Sequence, residues 1–289
     1  MDVSGPKGPE PHRGLGDRER FEDFYARKWA GHEGFWVDRY PPSQVVYATA
    51  VYRRRNAEIL EVAGPAFRTA MDLGCGLGDI AWALAARSER VIATDLSFEN
   101  VRRARANLRA RSVDNAVVVQ SIGERLPFAD RSLDLAVLAD VIEHIPDVAG
   151  CLAEIRRVLR PGGRVVCVTP IRGTLFAWRT FERTLRFLSR RGSVAASGTT
   201  HPDVYERFLS IPEMRSALAA AGLRPTMLRR ICFYPAPETP GVFGAIGEWA
   251  HGRLDPRRFS TVSGRAMIVF DAVERLRFLN QKQLWVASA

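Results

Sequence analysis

From residue 68 onward the apolar positions change period again and again. Short strand-like runs occur at RTAMDLG (68–74), RVIATDL (90–96), AVVVQSI (116–122), LDLAVLAD (133–140) and GRVVCVTP (163–170). Helical patterns lie between them: DIAWALAARSE after the first run, FENVRRARANLRARS after the second and DVAGCLAEIRRVLR before the fifth. Strands that alternate with helices predict right-handed βαβ crossovers and a parallel sheet, with ligands bound at the carboxyl ends of the strands. Chemistry is therefore expected just after each strand.

The flanks follow other patterns. Residues 1–18 are Pro, Gly and charge, with no apolar core of a signal peptide, and form an expected disordered tail. Residues 19–62 predict a helical cap rich in aromatics, Phe21, Trp29, Trp36, Tyr40 and Tyr47 among them, broken at Pro41 and Pro42. Past the fifth strand, FLSIPEMRSALAAAGL predicts a helix opened by a Ser210–Glu213 capping box and stopped by Gly222. Two more strands follow, at 224–234 and 283–289, with helical patterns near 242–253 and 264–279 between them. The expected organisation is one catalytic domain over 63–289, with insertions at 171–205 and 235–280 and the helical cap before it. A loop as long as the second insertion is usually functional.

Composition is that of an ordinary globular protein, 46% hydrophobic and 26% charged. The formal charge of +10 suggests nucleic acid, yet 39 of the 42 basic residues are arginines spread along the chain instead of gathered into a phosphate-binding stripe. No nucleic-acid partner is expected. Cys75, Cys151, Cys167 and Cys232 form no CxxC pair and lack zinc spacing, so they are expected to be reduced thiols in a cytoplasmic protein.

The turn MDLGCGLGD places Gly74, Gly76 and Gly78 where the first strand enters its helix. Glycines there let the backbone approach a ligand, and the helix N-terminus offers N–H groups and a positive dipole end. A loop of this kind alone fits a structural turn or a dinucleotide site as well as other nucleoside sites. The spacing is GxGxG, not GxGxxG, and Asp72 precedes it where a carboxylate can receive an ammonium group. A second carboxylate, Asp95, ends the next strand and can accept ribose hydroxyls. Together they suit a nucleoside that carries an amino acid.

MDLGCGLGD, ATDLS, GERLPFADRSLDLAVLADVIEHIPD and RVLRPGGRVVCVTP resemble successive motifs of class I S-adenosylmethionine-dependent methyltransferases, especially the group with the ubiquinone and menaquinone methyltransferases. The resemblance covers about residues 68–170. It implies an α/β fold with a doubly wound, Rossmann-like, seven-stranded sheet, mostly parallel with an antiparallel last strand. It also implies S-adenosylmethionine as cofactor, its methionine moiety held by Asp72 and the Gly74–Cys75–Gly76–Gly78 loop, its ribose by Asp95 beside Leu96. Where the family often has an aspartate that contacts the adenine, this chain has Ile122, leaving the backbone of Ile122 and Gly123, or Glu124, to recognise the base.

After the fourth strand, Asp140, Glu143 and His144 stand where the family places groups that face the transferable methyl, with Asp140 also against the cofactor. An acceptor oxygen must lose a proton, and a histidine titrates near neutrality, so His144 is the expected base and O-methylation the expected transfer. The alternative for Asp140, Glu143 and His144 is a metal site, although three ligands in five positions leave a hard cation short of oxygens. His201 is a second candidate base. The helix pattern over 174–191 sets Trp178, Phe181, Leu185 and Leu188 opposite Arg179, Arg183, Arg186 and Arg190. That face either packs on the domain or meets a membrane surface or a lipid-like substrate. Trp36, Tyr40 and Tyr47 are the expected substrate contacts. The reading is methyl transfer to a small, hydrophobic acceptor such as a quinone, lipid or secondary metabolite. An NAD-dependent oxidoreductase, a non-catalytic nucleotide-binding protein and a membrane-docking protein are the competing readings.

Overall fold

The computed structural model describes residues 22, 24, 55–172, 207–231 and 282–289. Trp36, Tyr40, Tyr47, His201, Cys232, the tail, the helix patterns at 242–253 and 264–279 and the 174–191 segment lie outside the described residues.

Seven strands form one sheet: β1 (Phe67–Leu73), β2 (Ser88–Asp95), β3 (Ala116–Gln120), β4 (Leu133–Ala139), β5 (Leu159–Pro170), β6 (Arg224–Ile231) and β7 (Lys282–Ser288), in the order β3-β2-β1-β4-β5-β7-β6. β1 to β5 pair in parallel, while β7 runs antiparallel to both β5 and β6. The doubly wound, Rossmann-like topology expected from the sequence is thus present, antiparallel last strand included. Chain order reverses direction between β1 and β4, and that switch point is where open α/β sheets bind ligands.

Consecutive strand residues belong to different cores. Ala70, Val91, Leu135, Val137, Val166 and Val168 pack in one apolar cluster, and Met71, Ala136, Leu138, Val165 and Cys167 in another, so the sheet is buried on both faces. The helices divide the same way. Residues 55–63 (α1), Asp79–Ala85 (α2) and Phe98–Ala110 (α3) cover the first face, with Ile59, Leu84 and Ala104 fully buried. Val148–Val158 (α4) and Ile211–Ala220 (α5) cover the second through Leu152, Ile155, Met214 and Leu218. Burying each such aliphatic side chain contributes about 1.5–3 kcal/mol, which commits the register of every strand. Because Ile59, Val62 and Ala63 belong to the sheet's core, α1 is built into the fold from the cap side.

Local signals set the boundaries. Ser97 accepts a hydrogen bond from Asn100 N to cap α3, Asp147 accepts one from Gly150 N to cap α4, and Ser210 and Glu213 form the anticipated capping box on α5. α2 is shorter than its sequence pattern, ending at Ala85, because Ser88 already pairs with Phe67 as the start of β2. Cys75, Cys151 and Cys167 are buried, free thiols.

Candidate active site

The carboxyl ends of β3, β2, β1 and β4 surround one cavity of about 320 Å³, a size at the lower end of small-molecule sites. Its wall includes Asp72, Gly74, Cys75, Gly76, Asp95, Leu96, Ile122, Gly123, Glu124, Asp140 and His144. Gly78 stands one turn behind, as the N-cap of α2.

The glycine loop is folded on itself by necessity. Gly74 has φ +72°, and a Cβ there would stand 2.4 Å from Val141 Cγ2, so both backbone and packing demand glycine. Gly76 has φ +52°, and its absent Cβ would face open space. Four of the loop's amides are engaged within the protein. Gly74 N and Cys75 N both donate to Thr94 O, Gly76 N donates to Asp95 Oδ2, and Gly78 N donates to Cys75 O. Thr94 and Asp95 at the end of β2 thereby hold the loop in shape, and these four amides shape the cavity instead of presenting donors to it.

Two buried carboxyl groups flank the loop. Asp72, 1% exposed, accepts a hydrogen bond from Ala81 N at 2.9 Å, and burial pushes its pKa up to about 7, against the lowering effect of that bond and of nearby Arg55. Asp95 accepts from Gly76 N, Ser97 N and Asn100 Nδ2 at 2.8, 2.9 and 3.1 Å, and burial nevertheless raises its pKa. A carboxylate offers roughly four acceptor positions, so three bonds leave Asp95 about one for a ligand hydroxyl.

At the β3 end, Arg125 N donates to Ile122 O, which occupies one of the backbone groups expected to read the base. The following loop is fixed from α4: Glu154 accepts from Leu126 N, and Arg157 bonds Glu154, Asp130 and the carbonyls of Leu126 and Phe128. Glu124 lines the cavity, half-buried.

At the β4 end, Asp140 adopts φ +61°, a left-handed conformation that a non-glycine residue takes only when its surroundings compel it. Its Oδ2 is shared by Arg55 Nη1, at 2.8 Å, and Lys282 Nζ, and these two cations hold its carboxyl below the ordinary range against burial. A one-turn 3₁₀ helix, Ile142–His144, then turns His144 to the cavity and Glu143 away from it. Glu143 is buried, accepts from Thr169 Oγ1 at 3.0 Å, and is pushed up to about 8 by burial and by the charge of Asp140. Glu143 therefore points away from the cavity that Asp140 and His144 line, and no group of three metal-ligating side chains occurs among the described residues.

The donors fit the expected cofactor. Two lining residues carry buried polar atoms that have no hydrogen-bond partner in the structure, Ser121 Oγ near the base end and Asp140 Oδ1 at the opposite end. Such atoms are what a polar ligand satisfies. Asp72, Asp95 and the open side of Gly76 complete a site with one surface for an ammonium group, one for a hydroxyl and space beside the loop.

Residues 71–167 match a family described as a methyltransferase domain. The match takes in the glycine loop, β2, β3 and β4. A dimethylglycine N-methyltransferase of Parasynechococcus marenigrum (strain WH8102) is 35% identical over 159 residues, 54% of this chain and 56% of that protein. A demethylmenaquinone methyltransferase of Geobacillus kaustophilus (strain HTA426) is 27% identical over 180 residues, 61% of this chain and 75% of that protein. The match to the first of these thus spans only about half of its length. In fold, the chain is similar to a geranyl diphosphate C-methyltransferase of Streptomyces coelicolor A3(2), with a TM-score of 0.59 at 16% identity over 98% of this chain and 99% of that one.

Four residues that build the site lie outside the candidates expected from the sequence. Arg55 and Asn56 reach the cavity from α1, Asn100 reaches it from α3, and Lys282 clamps Asp140 from β7. Only Asn100 was within reach of sequence reasoning, one turn beyond Ser97 in the helix that follows Asp95.

Proposed function

We propose that the protein is an enzyme that transfers a methyl group from S-adenosylmethionine to an oxygen of a small, apolar acceptor, with His144 as the proton acceptor. The observation that carries this reading is the layout of the cavity. It lies across the strand ends from β3 to β4 and is lined both by Asp95 and residues 122–124 and by His144. Asp95 would hold the ribose, Asp72 the ammonium group, and residues 122–124 the base. The bound cofactor supplies a methyl group already activated on a cationic sulfur. The chain's residues then position the acceptor, exclude water and receive the proton that an acceptor hydroxyl releases.

The aromatic sequence of the 19–62 cap and the amphipathic pattern of 174–191 support an apolar acceptor, such as a quinone, a lipid or a secondary metabolite, and contact with a membrane surface from the cytoplasmic side. No helix among the described residues is long and apolar enough to cross a membrane. A metal and a nucleic-acid partner are not part of this reading. Transfer to nitrogen or carbon is the second reading, favoured by the names of the relatives, an N-methyltransferase and C-methyltransferases.

The test is methyl transfer from labelled cofactor to a panel of phenols, quinols, amines and lipids, with the product's methylated atom assigned by NMR. The expected result is an O-methyl product in the parent. His144→Gln is expected to slow turnover by about 100-fold, the usual scale of general-base catalysis, and to leave S-adenosylhomocysteine affinity unchanged. Unaltered turnover in His144→Gln would remove the base, and an N- or C-methyl product would establish the second reading.

A further inference from the structure

Of the expected N-terminal cap, Glu22 and Phe24 are described, both helical. Glu22 is half-buried and lies against the strand ends. Both of its carboxylate oxygens accept from Phe98 N at 2.9 Å, and Oε1 also accepts from Gln120 Nε2 at 2.9 Å. These partners stand 76 and 98 positions further along the chain.

Phe98 is the first residue of α3, whose leading amides have no partner inside the helix. Ser97 takes the amide of Asn100, and Glu22 takes that of Phe98, where a carboxylate also meets the positive end of the helix dipole. Gln120 is the last residue of β3 and the register partner of Asp95, and its amide group donates to Leu96 O at 2.8 Å as well as to Glu22. One carboxylate therefore ties together the end of β3, the turn after β2 and the start of α3.

That corner is a wall of the cavity. Asp95, Leu96 and Asn100 line it, and so do Ser121, Ile122 and Gly123, which follow Gln120 directly. On the inner side Asp95 is oriented by Ser97 N and Asn100 Nδ2. Glu22 does not line the cavity and grips the same corner from outside. Its charge reaches the site all the same: burial is the main cause of the raised pKa of Asp95, and repulsion from Glu22 adds to it.

We infer that Glu22 is a positioning residue for the nucleoside end of the site, fixing the turn after β2 and the end of β3 so that Asp95 and residues 121–123 are set before a ligand arrives. The inference rests on the cofactor reading above. Without Glu22, only the fraction of molecules that hold this corner in place would bind, and the apparent affinity would fall by that fraction.

The experiment measures, by calorimetry on the full chain, the affinities of S-adenosylhomocysteine and of 5′-methylthioadenosine, which has the nucleoside without the amino-acid tail. In Glu22→Ala both affinities are expected to fall by the same factor, about 3- to 10-fold, the scale of a lost carboxylate and its bonds at a helix N-terminus. Glu22→Gln keeps an acceptor oxygen for Phe98 N and loses the charge, and is expected to lie between Glu22→Ala and the parent. Gln120→Ala should weaken both probes as well, and the double variant should lose less than the product of the two single losses, because each single variant breaks the same bond. A loss confined to S-adenosylhomocysteine would place the effect at the amino-acid end. A lowered melting temperature with both affinities unchanged would leave Glu22 as a contact that stabilises the fold, and a multiplicative double variant would uncouple it from Gln120. Each of these results overturns the inference, whereas a parent that binds neither probe overturns the cofactor reading itself.

Discussion

Acidification is expected to weaken cofactor binding through Asp72. Burial raises this carboxyl from 3.8 to about 7 in the ligand-free protein, yet an ammonium group pairs only with the ionised form. From about pH 7.5 to about pH 5.5 the ionised fraction falls from roughly three quarters to roughly 3%, so affinity for S-adenosylhomocysteine is expected to fall about 25-fold. Stability moves the other way. The folded pKa lies above the unfolded one, so the folded state holds a proton that the unfolded chain has released, and the ligand-free protein loses stability as pH rises from about 4 to about 7. Asp95 is also raised and also lines the cavity, so the parent's slope alone is ambiguous. The decisive comparison is Asp72→Asn, which keeps the size of the side chain and cannot titrate. Calorimetry at several pH values should show a steep slope in the parent and a nearly flat, weaker affinity in the variant. Parallel slopes in the two proteins would refute the assignment of the proton to Asp72.

Three further outcomes follow from the same geometry. Gly74→Ala combines left-handed strain of about 1–2 kcal/mol with a Cβ clash against Val141, so urea unfolding should show a loss of about 2–4 kcal/mol, partly recovered by adding Val141→Ala; a loss below about 0.5 kcal/mol would contradict the packing. Asp95→Ala removes the acceptor of Gly76 N, Ser97 N and Asn100 Nδ2, and should weaken S-adenosylhomocysteine binding by at least about tenfold, as fluorescence titration would show. Glu143→Gln preserves the acceptor for Thr169 Oγ1 without the ionisable group. Because Glu143 is raised from 4.5 to about 8, the variant should melt as the parent does below about pH 4.5, then gain on it up to about pH 8 and keep that gain beyond; a constant difference across the range would show that Glu143 does not titrate in the fold.

The sequence by itself determined the sheet, the glycine loop and the order of the candidate site residues, because each of these is written in neighbouring positions. Strand runs buried on both faces, the glycine spacing and the Ser210–Glu213 box are short-range patterns, and the elements they predict agree with those observed to within a few residues at each end. The tertiary structure decided which of those groups face the cavity and with what charge. Glu143 and His144 are adjacent in sequence, yet a 3₁₀ turn sends them to opposite sides, and burial separates the chemistry of Glu143 from that of a surface carboxylate. The amides of Gly74, Cys75 and Gly76 are donors on paper, and only the packing of β2 against the loop shows them satisfied by Thr94 and Asp95. Arg55 and Lys282 are 85 and 142 positions from Asp140, and no periodicity or motif connects charges so far apart along the chain. They meet because α1 packs on one face of the sheet and β7 enters between β5 and β6, which brings both cations to the end of β4.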